Sequence, residues 1–157
     1  MRIVLVMIGK TDAKWLSDGI SEYVARICHF NPFQTIVIPD MKNTRNMDSR
    51  TQKELEGDAI LKQLLPGDDV ILLDDKGLEH TSESMAEWLD RRMQLSSKRL
   101  VFIIGGPYGF SDKVYAAARC KLSLSRMTFS HQMVRLIFTE QLYRAFTIMK
   151  GIPYHHS

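Results

Sequence analysis

The sequence predicts an α/β fold with a mainly parallel sheet flanked by helices. Short β-branched runs alternate with longer segments of helical period, which is the pattern of crossover units. Several of the runs lack polar alternation, so helices are expected on both faces of the sheet. At 157 residues, with 45% apolar and 25% charged side chains, the chain can bury a single core without disulfides or metal. No repeat or low-complexity tract interrupts it, and 1–157 is expected to be one domain.

The first strand, 3–8, is an apolar run followed at once by Gly9 and Lys10. It is too short for a signal segment or a membrane span, so a cytoplasmic protein is expected. A helix over 13–27 follows, with Trp15, Leu16, Ile20, Tyr23, Val24 and Ile27 on one face. After a strand at 35–38, residues 39–48 have neither period nor much hydrophobicity and read as a polar loop. The next helix, 49–65, stops at Pro66-Gly67. A strand at 70–74 leads to a helix over 82–95, capped by Thr81 or Ser82 and with Glu83 in its first turn. Strands at 100–104 and 121–124 complete the sheet, and between them Ser111 is placed to cap a further helix. The last helix, 131–150, carries apolar residues on more than one stripe, for which a second subunit is the simplest cover.

Charge is unevenly spread. From Lys113 onward there are seven basic residues and one acid, a net +6 within a chain of net +3, so Met1 to Asp112 carries −3. A cationic C-terminal third suggests a phosphate-rich partner such as RNA. Cys28 and Cys120 stand alone, without paired-ligand spacing, and are expected to be buried thiols in a reducing compartment, with no metal site.

In a parallel sheet the strand carboxyl ends share an edge, and ligands bind in the crevice there. Three loops leave from such ends: Leu73-Asp74-Asp75-Lys76-Gly77, Gly105-Gly106-Pro107-Tyr108-Gly109, and Leu124-Ser125-Arg126-Met127-Thr128-Phe129. The last is rich in hydroxyls, free of glycine and runs straight into the final helix. Glycine in the second permits positive φ or close approach to a ligand, or simply a tight turn. The P-loop, GxGxxG and GxSxG signatures are absent, which disfavours phosphotransfer, a dinucleotide fold and the common hydrolases. What remains is a ligand held mainly by main-chain groups, which suits an adenosine derivative.

The stretches IGGPYGF and LSRMTFSHQMVRLIFTEQLYRAFTIMKG and the tail PYHH, with the opening IVLVMIGK and the central VILLDDKG, resemble the ribosomal RNA large-subunit methyltransferase H family of the SPOUT superfamily. The resemblance covers essentially the whole chain, with the motifs in order and at matching spacing. It implies a C-terminal trefoil knot, a homodimer, and S-adenosylmethionine bound in the knot. It also implies methylation of N3 of a pseudouridine in large-subunit (23S) ribosomal RNA on assembled ribosomes. Carried onto matching positions, the cofactor contacts would be Leu73, Gly105, Leu124, Ser125, Arg126, Met127, Thr128 and Phe129. Two departures stand out: Ser130 replaces a proline common among relatives, and the chain ends His156-Ser157 where many end in a lysine or arginine. Serine can still cap the following helix.

Methyl transfer to N3 needs in-line approach and loss of a weakly acidic proton, promoted by a base or by a cation that stabilises the anion. The catalytic candidates are His131, Arg135, Arg144, Tyr154 and His155. Each has a simpler role open to it: capping for His131, phosphate binding for Arg135 and Arg144, packing or base stacking for Tyr154, and RNA binding for His155. A tail that completes the partner's pocket would make a monomer inactive. The alternative function is a non-catalytic ribosome-associated nucleotide-binding module, or a flavodoxin-like regulator.

Overall fold

A computed structural model describes residues 1–42 and 44–156. Asn43, within the polar loop, and Ser157, at the altered terminus, lie outside the described residues. The chain runs β1 (Arg2–Ile8), α1 (Lys14–Cys28), β2 (Phe33–Ile38), a single 3-10 turn (Thr44–Asn46), α2 (Ser49–Leu61), β3 (Asp69–Glu79), α3 (Ser82–Met93), β4 (Arg99–Ile104), α4 (Asp112–Ala117), β5 (Cys120–Ser123) and α5 (Met133–Met149). The five strands form one sheet in the order β2-β1-β4-β3-β5, every pair parallel.

Strand β1 explains why both faces need cover. Ile3, Leu5 and Met7 point to one side with Leu100, Phe102, Ile104 and the helices α1, α3 and α5. Val4, Val6 and Ile8 point to the other with Val101, Ile103 and the residues of α2 and α4. A strand buried on both sides has no room for alternating polar residues, hence its unbroken apolar run. On the first side Phe138 of α5 meets Phe102 at 4.8 Å between ring centres.

Local signals set most helix ends. Asp48 accepts the Thr51 amide at 2.7 Å to cap α2, and Thr81 accepts the Ser84 amide at 3.1 Å to cap α3. Ser111 occupies the cap position of α4, yet its hydroxyl caps nothing and is buried without a partner. The expected strand at 70–74 continues to Glu79. Leu73 and Leu78 both register with Leu122, so the four residues between them are looped out of the ladder. Gly77 lies so close to β5 that a Cβ there would stand 2.6 Å from the Leu122 amide nitrogen.

Two expectations are corrected. Trp15 lies not on the buried face of α1 but in solvent, 65% exposed. Cys28 is exposed rather than buried, while Cys120 is half-buried. The surplus apolar residues of α5, among them Leu136, Ile137, Ile148 and Met149, are half-buried in the single chain. Among the described residues no helix is long and apolar enough to cross a membrane.

Candidate functional site

The carboxyl ends of β3, β4 and β5 open onto one cleft of about 500 Å³, a size usual for small-molecule sites. Leu73, Asp74 and Asp75 form one wall, Gly105, Gly106 and Pro107 another, and Leu124, Ser125, Met127, Thr128 and Phe129 a third. Ile104 and Leu122 supply apolar floor, and His131 and Val134 stand where α5 begins.

The third wall owes its shape to its hydroxyls. Ser123 Oγ donates to the Ser125 carbonyl at 3.1 Å, and Ser125 Oγ accepts the Met127 amide at 2.9 Å. Ser130 Oγ accepts the Met133 amide at 3.0 Å, so serine does the capping here and His131 is left facing the cleft. Side-chain-to-backbone bonds of this kind hold a turn without glycine.

The second wall needs glycine for another reason. Gly105 and Gly106 do not have positive φ; in this loop Gly109 does, at 81°. A Cβ on Gly105 would meet the Phe110 ring at 3.0 Å, and one on Gly106 would stand 2.5 Å from Glu56 Oε1. Close packing from behind forces glycine here. Glu56, on α2, is buried with Oε2 taking a 3.2 Å bond from Gln52 and Oε1 unpartnered. Burial pushes its carboxyl above the ordinary glutamate range, reinforced by nearby Asp40.

On the first wall, Tyr115 of α4 donates to Asp74 Oδ2 at 2.6 Å, and the Lys76 amide donates to Oδ1 at 2.8 Å. Burial works against the charged form, but these donors hold Asp74 below its usual range, so it is an anion at neutral pH. The phenol is pushed up to about 12 by burial and by Asp74.

Seven of the eight residues proposed as cofactor contacts line the cleft. The eighth, Arg126, points outward, exposed, with Nε 3.1 Å from Glu79. Of the five catalytic candidates only His131 lines it. Arg135 is swallowed by the core: its guanidinium donates to the carbonyls of Ile8 (2.6 Å) and Gly9 (2.9 Å) and to Thr11 Oγ1 (3.1 Å), with the residue 1% exposed. It ties α5 to the carboxyl end of β1, and its catalytic reading gives way to a structural one because no substrate atom can reach it.

The other three gather elsewhere. Tyr154 donates to Glu140 Oε1 at 2.9 Å, its ring lies under Arg144 at 4.7 Å, and its oxygen is 3.3 Å from Tyr23 Oη. Burial and these bonds raise the phenol's pKa, so at neutral pH it donates and is no base. Arg144 Nη1 lies 3.0 Å from His155 Nδ1, and His155 Nε2 lies 2.9 Å from Glu83. A guanidinium only donates, so Nδ1 accepts and the ring proton sits on Nε2, aimed at Glu83. Arg144 lies ten positions along α5 from Val134 at the cleft, roughly 15 Å of helix. Within one protomer the tail cluster and the cleft are separate.

The cationic C-terminal third is also largely neutralised in the fold. Lys113 pairs with Asp58, Arg119 with Asp69, Arg126 with Glu79 and Arg144 with Glu140. With Arg135 buried, only Lys121 and Lys150 of the seven lack an acidic or carbonyl partner among the described residues.

Sequence reasoning missed Tyr115 and Glu56. Tyr115 had no local signal, its partner being 41 positions away. Glu56 reads as a solvent-facing acid of an amphipathic helix.

Comparison with known proteins adds independent evidence. Residues 1–155 match the family model described as predicted SPOUT methyltransferase. Over 156 residues, covering 99% of both chains, the sequence is 56% identical to ribosomal RNA large subunit methyltransferase H of Parabacteroides distasonis, and equally so to the protein of that name from Phocaeicola vulgatus. In fold it is similar to a probable methyltransferase from Bordetella pertussis Tohama I (TM-score 0.57, 9% identity, 92% of this chain and 94% of that one). It is also similar to a probable methylase family protein from Haemophilus influenzae Rd KW20 (TM-score 0.53, 13% identity, 95% and 66%). A crevice built by three loops at the carboxyl edge of a parallel sheet, together with a family match over almost every residue, places this chain in the SPOUT methyltransferase family.

Proposed function

We propose that the protein is an S-adenosylmethionine-dependent methyltransferase that methylates N3 of a pseudouridine in large-subunit ribosomal RNA. It works as a single-domain, cytoplasmic homodimer on assembled ribosomes. The observation that carries this reading is the convergence of Leu73, Gly105 and most of the 124–129 turn on one cleft, in a chain 56% identical to relatives named ribosomal RNA large subunit methyltransferase H.

The cleft fits the cofactor. Leu73, Ile104, Leu122 and Leu124 offer apolar contact to a purine, the loop backbones offer donors and acceptors, and anionic Asp74 complements a positively charged ligand. When bound, S-adenosylmethionine supplies an electrophilic methyl group on a sulfonium. The chain's part is to hold the acceptor nitrogen in line and to take its proton. His131, at the cleft beside α5, is the proposed acceptor of the N3 proton. Arg144, Tyr154 and His155 are proposed to act on the cleft of a second copy: the guanidinium favours the anionic base, Tyr154 stacks or donates, and His155 orients the RNA. Exposed Trp15 and Val37, at 65% and 46%, supply apolar surface for that second copy to cover. The family's trefoil knot is proposed on the same footing.

Mass mapping of ribosomal RNA from cells lacking the protein tests the reaction, and calorimetry with S-adenosylmethionine tests the cofactor. One pseudouridine without its methyl group, and saturable binding at two sites per dimer, are expected. Cofactor binding with unaltered ribosomal RNA would instead favour a non-catalytic ribosome-associated module.

A further inference from the structure

The C-terminal third, whose charge pointed to RNA, spends most of its cations on acids of its own chain. Beside the cleft that third leaves Lys121 uncommitted, over the Tyr115 ring, and further positive charge comes from elsewhere in the chain. Residues 41–53, between β2 and the body of α2, carry Lys42, Arg45, Arg50 and Lys53 against one acid, Asp48. Lys42, Arg45 and Arg50 are exposed and make no ion pair among the described residues. The acids around them are already engaged. Asp48 faces the Thr51 amide as the helix cap, while Asp40 and Asp12 act on the buried Arg135 guanidinium.

Packing contacts tie the residues flanking this segment to the elements that build the cleft. Glu56, two turns into α2, lies against Gly106 of the cleft wall, and Asp40, just before the segment, lies against Gly9. Lys10, the next residue and also exposed, offers its carbonyl to Gln132 Nε2 at 3.1 Å, and the Asp12 amide donates to Gln132 Oε1 at 2.9 Å. Gln132 follows His131 of the cleft. From His131 through Gln132, Lys10, Gly9 and Asp40 on one side, and from Gly106 through Glu56 of α2 on the other, contacts reach the two ends of the segment. We infer that Lys10, Lys42, Arg45 and Arg50 form a phosphate-binding rim that grips the substrate RNA backbone beside the acceptor nucleotide. This rests on the proposed RNA methyltransferase reading. Cations without internal partners release counterions from RNA on binding, whereas those already paired with acids contribute little.

The test compares the intact protein with the K42Q/R45Q/R50Q variant for binding to purified large ribosomal subunits across a salt series. Each lost phosphate contact should reduce the slope of log affinity against log salt by about 0.7–0.9. Affinity near 0.1 M salt should drop at least about tenfold. S-adenosylmethionine affinity by calorimetry should not change, which shows that the variant is folded and separates the rim from the cofactor reading. A K113Q/R119Q control, which removes paired cations, should keep the original slope. The rim is overturned if the triple variant keeps slope and affinity, if the control loses as much, or if the intact protein shows no salt-dependent binding to the subunits. Failure of the intact protein to bind S-adenosylmethionine would instead overturn the methyltransferase reading.

Discussion

Asp74 and Tyr115 show how one hydrogen bond conditions a site. The phenol and the Lys76 amide each hold one carboxylate oxygen, fixing an anion on the cleft wall. Tyr115→Phe removes a bond to a charged group, so calorimetry should register about a tenfold loss of S-adenosylmethionine affinity. The Asp74 carboxyl should titrate nearer its ordinary range. Glu56 behaves in the opposite sense. Its folded-state pKa is raised, so the folded chain retains a proton that the unfolded chain has released. Its contribution to stability is therefore complete below the ordinary glutamate value of about 4.3 and fades as pH rises through the raised value. Glu56→Gln should flatten that decline and, in urea unfolding, leave the variant the more stable at pH 8. Equal pH dependence of both proteins would show that burial does not shift the Glu56 carboxyl. Neither residue announced itself in the sequence, since a buried acid and a surface acid look alike along a helix.

At the scale of elements, α5 is held by more than its apolar face. Arg135 brings a guanidinium to the Ile8 and Gly9 carbonyls, which β1 cannot satisfy where its ladder ends. Arg135→Leu should lower unfolding stability by about 2–4 kcal/mol, because those carbonyls stay buried without a donor. Arg135→Lys should recover only part, as one ammonium cannot reproduce the planar fork. Thermal and urea unfolding check both. The strands and long helices were legible from periodicity alone, with Asp48 and Thr81 visible as caps. The exit of β3 was read less well. Its continuation past Asp74 depends on pairing with β5, nearly fifty positions later, and no local pattern encodes that.

At the scale of the whole molecule, the cleft and the tail cluster are chemically matched but lie apart in one protomer. If a second copy unites them, each site draws its cleft from one chain and its tail from the other. His155→Ala and Gly105→Val should each depress activity severely when alone, the valine by crowding Phe110. Mixing the two variants should restore about a quarter of the wild-type rate, because in a random mixture half the dimers are mixed and each has one intact site. A mixture no more active than its components would show that each protomer works alone.

The sequence by itself determined the fold class, the strand runs, the main helices and the three loops that share an edge, because these follow from periodicity and turn chemistry over a few residues. It also carried the family likeness that the matching of residues 1–155 supports. Only the tertiary structure decided that Arg135 is buried, that Tyr115 secures Asp74, that Glu56 backs Gly106, and that most cations of the last third are already paired. These partners lie far apart along the chain, and which charge meets which is set by how helices pack on the sheet, a relation absent from any local pattern.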